Sequence, residues 1–241
     1  MSYNVHSCVG NDGKLSVERI AEVIDSCSAH VVCLQELDVG RTRTGAVDQA
    51  QKIAEQLKME FHFHPALSFE KEHYGDAILS RHPLKMMRAA ALPGLTSRPH
   101  LEPRGALWVS VNVEGAEVQL LNTHLGLAAK ERLAQIEALC GSTWLGHEEC
   151  RGPIILCGDL NALPASSVYR KLRRQLRDTQ RNLRGNWPKA TFPSRFPLAR
   201  IDHIFVNEHL DVTAVRVPKD PLVRIASDHL PLVVDLTIQS R

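Results

Sequence analysis

The chain reads as an α/β protein in which two mixed, mostly antiparallel β-sheets pack face to face between helices. Strand-like runs follow one another without an intervening helix in both halves of the sequence, which argues against a doubly wound parallel sheet. Amphipathic helical patterns stand between those groups of strands. No Pro/Gly/Ser-rich linker divides the 241 residues, so residues 1–241 are read as a single domain.

Ser2 to Val5 reads as the second half of a strand whose first half would precede Met1, so an export signal there stays an open expectation. From Ser16, a good N-cap, Val17, Ile20, Ala21, Ile24 and Cys27 follow helical spacing and predict a helix. A buried strand follows over Val31 to Gln35, then a helix over Asp48 to Met59 with Ile53 and Leu57 facing the core. Strands are predicted at Glu60 to His64, Asp76 to Ser80, Leu107 to Val113 and Val118 to His124. Leu133, Ile136, Leu139, Cys140 and Trp144 mark a long amphipathic helix that leads into a strand at Ile154 to Cys157. Val168 to Leu176 reads as helix and 187–199 as an irregular Pro-rich stretch. Strands at Ile201 to Val206, Val212 to Val217 and Leu232 to Ile238 close the chain.

Hydrophobic content of 44% with 23% charged residues suits a protein with a full core and excludes disorder. The six cysteines contain no Cys-x-x-Cys pair, and Cys33 and Cys157 lie inside apolar strands, which predicts buried free thiols in a reducing compartment. No run approaches a membrane span and no signal-peptide pattern opens the chain, so a cytoplasmic monomer is expected. The net charge of +2 conceals an asymmetry: residues 165–200 hold ten Lys/Arg and one Asp, hence +9, against −7 for the rest. Such a segment suits a polyanionic substrate or an anionic surface, or is simply a solvated helix face.

Six polar strings fall at the ends of the strand-like runs: Asn4, Gln35-Glu36, Asn122-Thr123-His124, Gly158-Asp159-Leu160-Asn161, Arg200-Ile201-Asp202-His203 and Ser227-Asp228-His229. Carboxylates and histidines at the tips of apolar walls suit metal-assisted phosphoester hydrolysis. A hard cation such as Mg²⁺ takes one or two protein carboxylates and fills its shell from water and phosphate oxygens. Histidine supplies donors and proton carriers near neutrality. Taken singly, each string also has an ordinary reading: a surface Glu at a strand end, an Asx-turn at Asp159, a hydrogen-bonded structural His124. Asp202 sits inside an apolar run, where a lone carboxylate is expensive, and His229 is its candidate partner. His6 and His203 are read as packing or support. His62, His64, His73, His82 and His100 have no zinc-ligand spacing.

As an ordered set spanning Tyr3 to Leu236, these strings resemble the endonuclease/exonuclease/phosphatase superfamily, which contains DNase I, abasic-site endonucleases, neutral sphingomyelinases and inositol polyphosphate 5-phosphatases. The resemblance is to a compact bacterial-type member and implies a four-layer α/β sandwich. It implies metal-site roles for Asn4, Glu36 and Asp228, with Glu36 the principal ligand of Mg²⁺ or Mn²⁺. Asp159 would orient or deprotonate the attacking water, and Asn161 would donate to a non-bridging phosphate oxygen. His229, held by Asp202, would face the scissile phosphate, and His124 matches a second phosphate-facing histidine. Glu72 would orient His124, and Arg104 is a candidate phosphate contact. Tyr74-Gly75-Asp76 departs from a common Tyr-Gly-Asn and adds a negative charge near the site.

The expected activity is therefore a divalent-metal-dependent phosphodiesterase acting on phospholipid head groups or another small phosphodiester, with possible peripheral membrane contact. A DNA endonuclease or exonuclease is the alternative, because the basic run could neutralise backbone phosphates. Aromatic content of 5% offers little for base stacking. A non-catalytic binding module is a remote third, since every key position is filled.

Overall fold

The computed structural model describes all residues except 184, 240 and 241. Its first sheet has the order β1 (Ser2–Asn4), β2 (Val31–Val39), β4 (Glu72–Ser80), β3 (Glu60–Phe69). The second has the order β5 (Leu84–Ala91), β6 (Gly105–Val113), β7 (Ala116–His124), β8 (Ile154–Asp159), β10 (Asp202–Val206), β9 (Arg177–Asp178). A hairpin of β11 (Leu210–Arg216) and β12 (Val233–Ile238) meets the edge of β1, where Ser2 and Leu232 exchange two backbone hydrogen bonds of 2.9 Å. Only β1 with β2 and β7 with β8 run parallel; the other pairings are antiparallel. The expected pair of mixed, mostly antiparallel sheets is what forms.

Alternation along the strands builds two cores. Leu107, Val109 and Val111 of β6, Leu120, Cys157 and Ile204 meet Val32 and Leu34 of β2 between the sheets. On the outer face of that first sheet lie α1 (Val17–Ser26) and α2 (Gln49–Leu57), whose Ile20, Ile24, Ile53 and Leu57 are buried. Ser16 and Asp48 cap them, accepting from the amides of Arg19 and Gln51. On the far side, Trp108, Leu121, Leu156 and Phe205 pack against α3 (Ala129–Leu139) and α4 (Ser167–Leu172). Two sheets between two helical layers make four layers.

Several boundaries differ from the sequence reading. β2 continues four residues past Gln35 through a bulge, and the helix expected to reach Trp144 stops at Leu139, leaving Trp144 buried from a loop. α4 ends at Leu172, and the chain then forms β9 and a short helix α5 (Thr179–Asn182). β5 was not expected: it is an edge strand whose Lys85, Arg88 and three alanines carry little strand signature. The helix α6 (Pro221–Ala226) was also missed, although Asp220 as N-cap followed by Pro221 is a helix start.

All six cysteines are free. An apolar cavity of about 350 Å³, lined by Val113, Val118, Ile155 and Leu236, lies among the strands and away from the polar strings. Among the described residues no helix is long and apolar enough to cross a membrane.

Candidate active site

Strand register gathers the polar strings. Asn4 pairs with Gln35, while His124 pairs with Asp159 and Asp159 with Asp202. Directly paired residues project to one face of a sheet, so His124, Asp159 and Asp202 stand abreast across three strands about 4.8 Å apart. The next register row, Thr123, Gly158 and His203, faces the other way. His203 is accordingly buried, with Nε2 on the Ala162 carbonyl at 2.8 Å, in the support role expected for it. Gly158 is required there: at φ 142° a Cβ would lie 1.8 Å from the Thr123 carbonyl oxygen.

Glu36 reaches the same place by a different device. Leu34 pairs with Ala77 but Leu37 with Gly75, so Gln35 and Glu36 together oppose Asp76 in a bulge, and Glu36 takes φ 62°. The bulge turns Gln35 inward, where its Nε2 donates to Asn122 Oδ1 at 2.7 Å, and turns Glu36 toward the cleft. Asn122 itself donates to the carbonyls of Leu34 and Ala77, both at 2.9 Å, so it joins the two sheets below the site.

The resulting cleft has a volume of about 620 Å³. Asn4 Nδ2 donates to Glu36 Oε1 at 2.8 Å and to Asp159 Oδ2 at 3.1 Å, tying the two carboxylates together. His124 Nε2 and His229 Nε2 approach the same Asp159 oxygen at 3.5 and 3.6 Å. Asp159 Oδ1 accepts the Asn161 amide at 2.9 Å. His229 follows Ser227, whose hydroxyl donates to the Asn4 carbonyl at 2.8 Å, and its ring packs on Phe192 with centroids 4.8 Å apart. Its Nδ1 lies 2.9 Å from Asp202 Oδ2, which Thr191 Oγ1 also reaches.

The structure thus brings Asn4, Glu36, His124, Asp159, Asn161, Asp202 and His229 together. Arg104 joins them: it is buried, with Nη1 2.7 Å from Glu102 and 3.0 Å from His124 Nδ1. Asp228 stands apart, half-buried, with Oδ1 3.9 Å from His6 Nδ1. Glu72 does not orient His124. Its Oε1 accepts from the amide and hydroxyl of Thr42 at 2.9 and 2.7 Å, because β4 carries it past the cleft toward the loop after β2. Of the ten basic residues of 165–200, Arg184 lies outside the described residues and the other nine do not line the cleft. The first part of that stretch runs through the outer helical layer, where Lys171 pairs with Glu137 and Arg177 holds the carbonyls of Asn207 and Leu210, and Arg200 is buried on Asp178, whereas Phe192 returns to the cleft. Among the described residues, the arginines that line the cleft are Arg43 and Arg104. His6, read as packing or support, is instead exposed and lines the cleft; Ser7, Arg43 and Glu102 line it without having been singled out in the sequence, since they lie in short turns and loops with no periodicity to mark them. The Arg43 guanidinium rests over the Tyr74 ring and grips both oxygens of the buried Asp38.

Electrostatics separates the two histidines. Burial, the Arg104 guanidinium and His229 together hold His124 well below the usual imidazole range, so it is neutral. A neutral ring has one N–H, and Arg104 can only donate, so Nδ1 accepts and the proton sits on Nε2. That N–H and the Asn161 amide, fixed by donating to the Leu125 carbonyl at 2.9 Å, then face each other at 3.0 Å and share a need for an acceptor. For His229, burial disfavours the charged form, but the carboxylates of Asp202, Asp159 and Asp228 outweigh it and raise the pKa to about 10. Burial and Asp202 push Asp159 up to about 7. Asp76 is pushed up to about 8 by burial, opposed by Arg104 and reinforced by Glu36 and Asp159. Its added charge is therefore largely quenched by protonation.

Mutually raised carboxylates indicate an excess of buried negative charge that a cation would offset. Glu36, His124 and Asp159 place one ligand atom each within 4.8 Å of one another, as do Asp159, Asp202 and His229. The oxygen-rich donors, with no thiolate among them, fit a hard divalent ion.

Comparison with known proteins agrees with this geometry. Residues 1–229 match the Endonuclease/Exonuclease/phosphatase family. The uncharacterized protein YbhP of Escherichia coli K12 is 24% identical over 250 residues, covering 98% of this chain and 94% of that protein. An endonuclease/exonuclease/phosphatase from Beutenbergia cavernae superposes with a TM-score of 0.81 at 26% identity, over 98% of this chain and 70% of that one. The mannosyl-6-phosphatase Bt3783 of Bacteroides thetaiotaomicron superposes with a TM-score of 0.76 at 20% identity, over 98% of both chains. With the sandwich, the strand-end register and a match across nearly the whole length in agreement, the chain belongs to the endonuclease/exonuclease/phosphatase family, whose members are hydrolases of phosphoester bonds.

Proposed function

We propose that the chain is a single-domain, Mg²⁺- or Mn²⁺-dependent phosphodiesterase that cleaves phospholipid head groups or other small phosphodiesters. The observation that carries this reading is the convergence of Asn4, His124 and His229 on one oxygen of Asp159 beside Glu36.

Glu36 would be the principal metal ligand, with Asn4 beside it, and Asp228 would contribute from outside that cluster, from its place near His6. The bound ion would supply neutralisation of the phosphoryl oxygens and acidification of a water. Asp159, with a pKa near neutrality, is suited to orient that water and take its proton. His229, cationic and held by Asp202, faces the charge that develops on the phosphoryl group. The His124 N–H and the Asn161 amide, which oppose each other without an acceptor between them, would both donate to a non-bridging oxygen. Arg104 keeps His124 in the donor tautomer.

A nuclease reading is weaker, because none of the nine described basic residues of the run that motivated it lines the cleft. The test is hydrolysis of bis-p-nitrophenyl phosphate, duplex DNA, abasic DNA, sphingomyelin, glycerophospholipids and inositol phosphates with Mg²⁺. Activity that persists in excess EDTA, or that Glu36→Gln leaves intact, would sink the metal-dependent mechanism.

A further inference from the structure

We infer that the loops framing the cleft dock the protein onto an anionic phospholipid surface, with Leu127, Leu163, Trp187, Phe196 and Leu198 entering the interface and Lys130, Lys189 and Arg195 facing the head groups. The lipid class rests on the proposed function above; the docking itself rests on the following surface features.

Large apolar side chains exposed together on an ordered surface mark an interaction site. Leu127 is 72% exposed, Phe196 77%, and Trp187 and Leu198 86% each. Leu127, Leu163, Phe196 and Leu198 are tied to the active site by their places in the chain. Leu127 lies three residues after His124 and lines the cleft, and Leu163 lies two after Asn161. Phe196 and Leu198 stand on a loop closed at its base by the Phe192 and Ala199 backbone pair, and Phe192 is the residue whose ring packs on His229. That loop is pinned: the Ser194 amide donates to the Asp228 carbonyl, and Arg195 Nη2 donates to the Asn11 carbonyl, both at 2.6 Å. Its two apolar side chains are therefore held outward by backbone that cannot fold them back.

Charge selects the occupant. Segments 125–130 and 160–200 hold one acidic residue, Asp178, which is buried at 2% exposure, while Lys130, Lys189 and Arg195 are exposed.

 Within these two segments no exposed carboxylate opposes the three cations. An apolar rim on two segments that carry exposed cations and no exposed acid of their own fits a bilayer interface with anionic lipid, where aliphatic and aromatic side chains enter the acyl boundary and each cation gains from the surface potential. Duplex DNA would use the cations and leave the apolar rim in water.

The test uses vesicles of phosphatidylcholine alone or with about 30% phosphatidylglycerol, which supplies the anionic surface. Of the three tryptophans Trp108 and Trp144 are buried, so quenching by brominated lipid reports Trp187. The wild-type protein should sediment with the anionic vesicles and show that quenching. The double variant Phe196→Glu/Leu198→Glu should lower vesicle partitioning by about tenfold or more while hydrolysing bis-p-nitrophenyl phosphate at the wild-type rate. Lys130→Glu/Lys189→Glu should weaken binding to the anionic vesicles more than to the neutral ones. Failure of the wild type to bind vesicles would overturn the inference, as would binding that the Phe196/Leu198 variant retains in full. Loss of duplex DNA binding in that variant without loss of vesicle binding would assign the rim to nucleic acid and overturn it too. Vesicle binding by a wild type that hydrolyses no phosphodiester would support the docking surface and reject the catalytic proposal separately.

Discussion

His229 Nδ1 lies 2.9 Å from Asp202 Oδ2, although Asp202 opens β10 and His229 lies 27 positions on, in the bend before β12. Both are buried, so neither can exchange its partner for water. Each single substitution, Asp202→Asn or His229→Ala, is expected to lower kcat by roughly 10²–10⁴. Because they act as a unit, the double variant should be little worse than His229→Ala alone. Rate losses that multiply in the double variant would refute the pairing.

The raised pKa of Asp159 gives a stability prediction for the metal-free protein. Its folded value of about 7 exceeds the ordinary carboxylate value, so the folded state binds more protons between about pH 4 and 7 and loses stability as pH rises through that window. Asp159→Asn removes the penalty. In EDTA it should stabilise the protein at pH 8 by on the order of a few kcal/mol and have little effect near pH 4. Urea unfolding at the two pH values checks this, and an equal change at both would contradict it.

Arg104 is expected to govern the protonation of His124. Its guanidinium is one of the causes that hold the imidazole down, so Arg104→Met should raise the His124 pKa and reduce turnover. An imidazole NMR titration that does not move would show that the contact is absent in solution.

Asn122 is the structural member of its string. Replacing it with Leu leaves Gln35 and the carbonyls of Leu34 and Ala77 without their partner in a buried setting, a loss of about 2–4 kcal/mol. Chemical denaturation should show it. A change below about 0.5 kcal/mol would mean that water replaces the amide.

Strand ends carried most of the legible information. Gly158-Asp159-Leu160-Asn161 and Asp202 were readable because a carboxylate closing an apolar run is expensive unless it has work there. Opposite-face alternation placed His203 correctly. What stayed hidden was set by contacts between distant segments. The resemblance implies Glu72 beside His124, but the path of β4 takes Glu72 to Thr42, and Arg104, read as a phosphate contact, stands against His124 instead. Arg43 and Glu102 lie on short turns and loops without periodicity, and the basic run of 165–200 stayed open between a substrate surface and a solvated helix face because sequence adjacency to Asn161 does not reveal that α4 leaves for the outer layer.

Glu36 holds a left-handed backbone conformation, φ 62°, that glycine and asparagine adopt more easily than a long acidic side chain. Such a conformation costs on the order of 1 kcal/mol or more, so Glu36→Gly should leave the fold as stable as the wild type or more so. Libraries at position 36 sorted for folded protein would drift toward glycine and asparagine, whereas libraries sorted for catalysis would return to glutamate. The two selections pull one codon in opposite directions, which makes this bulge a place where folding and chemistry can be scored apart.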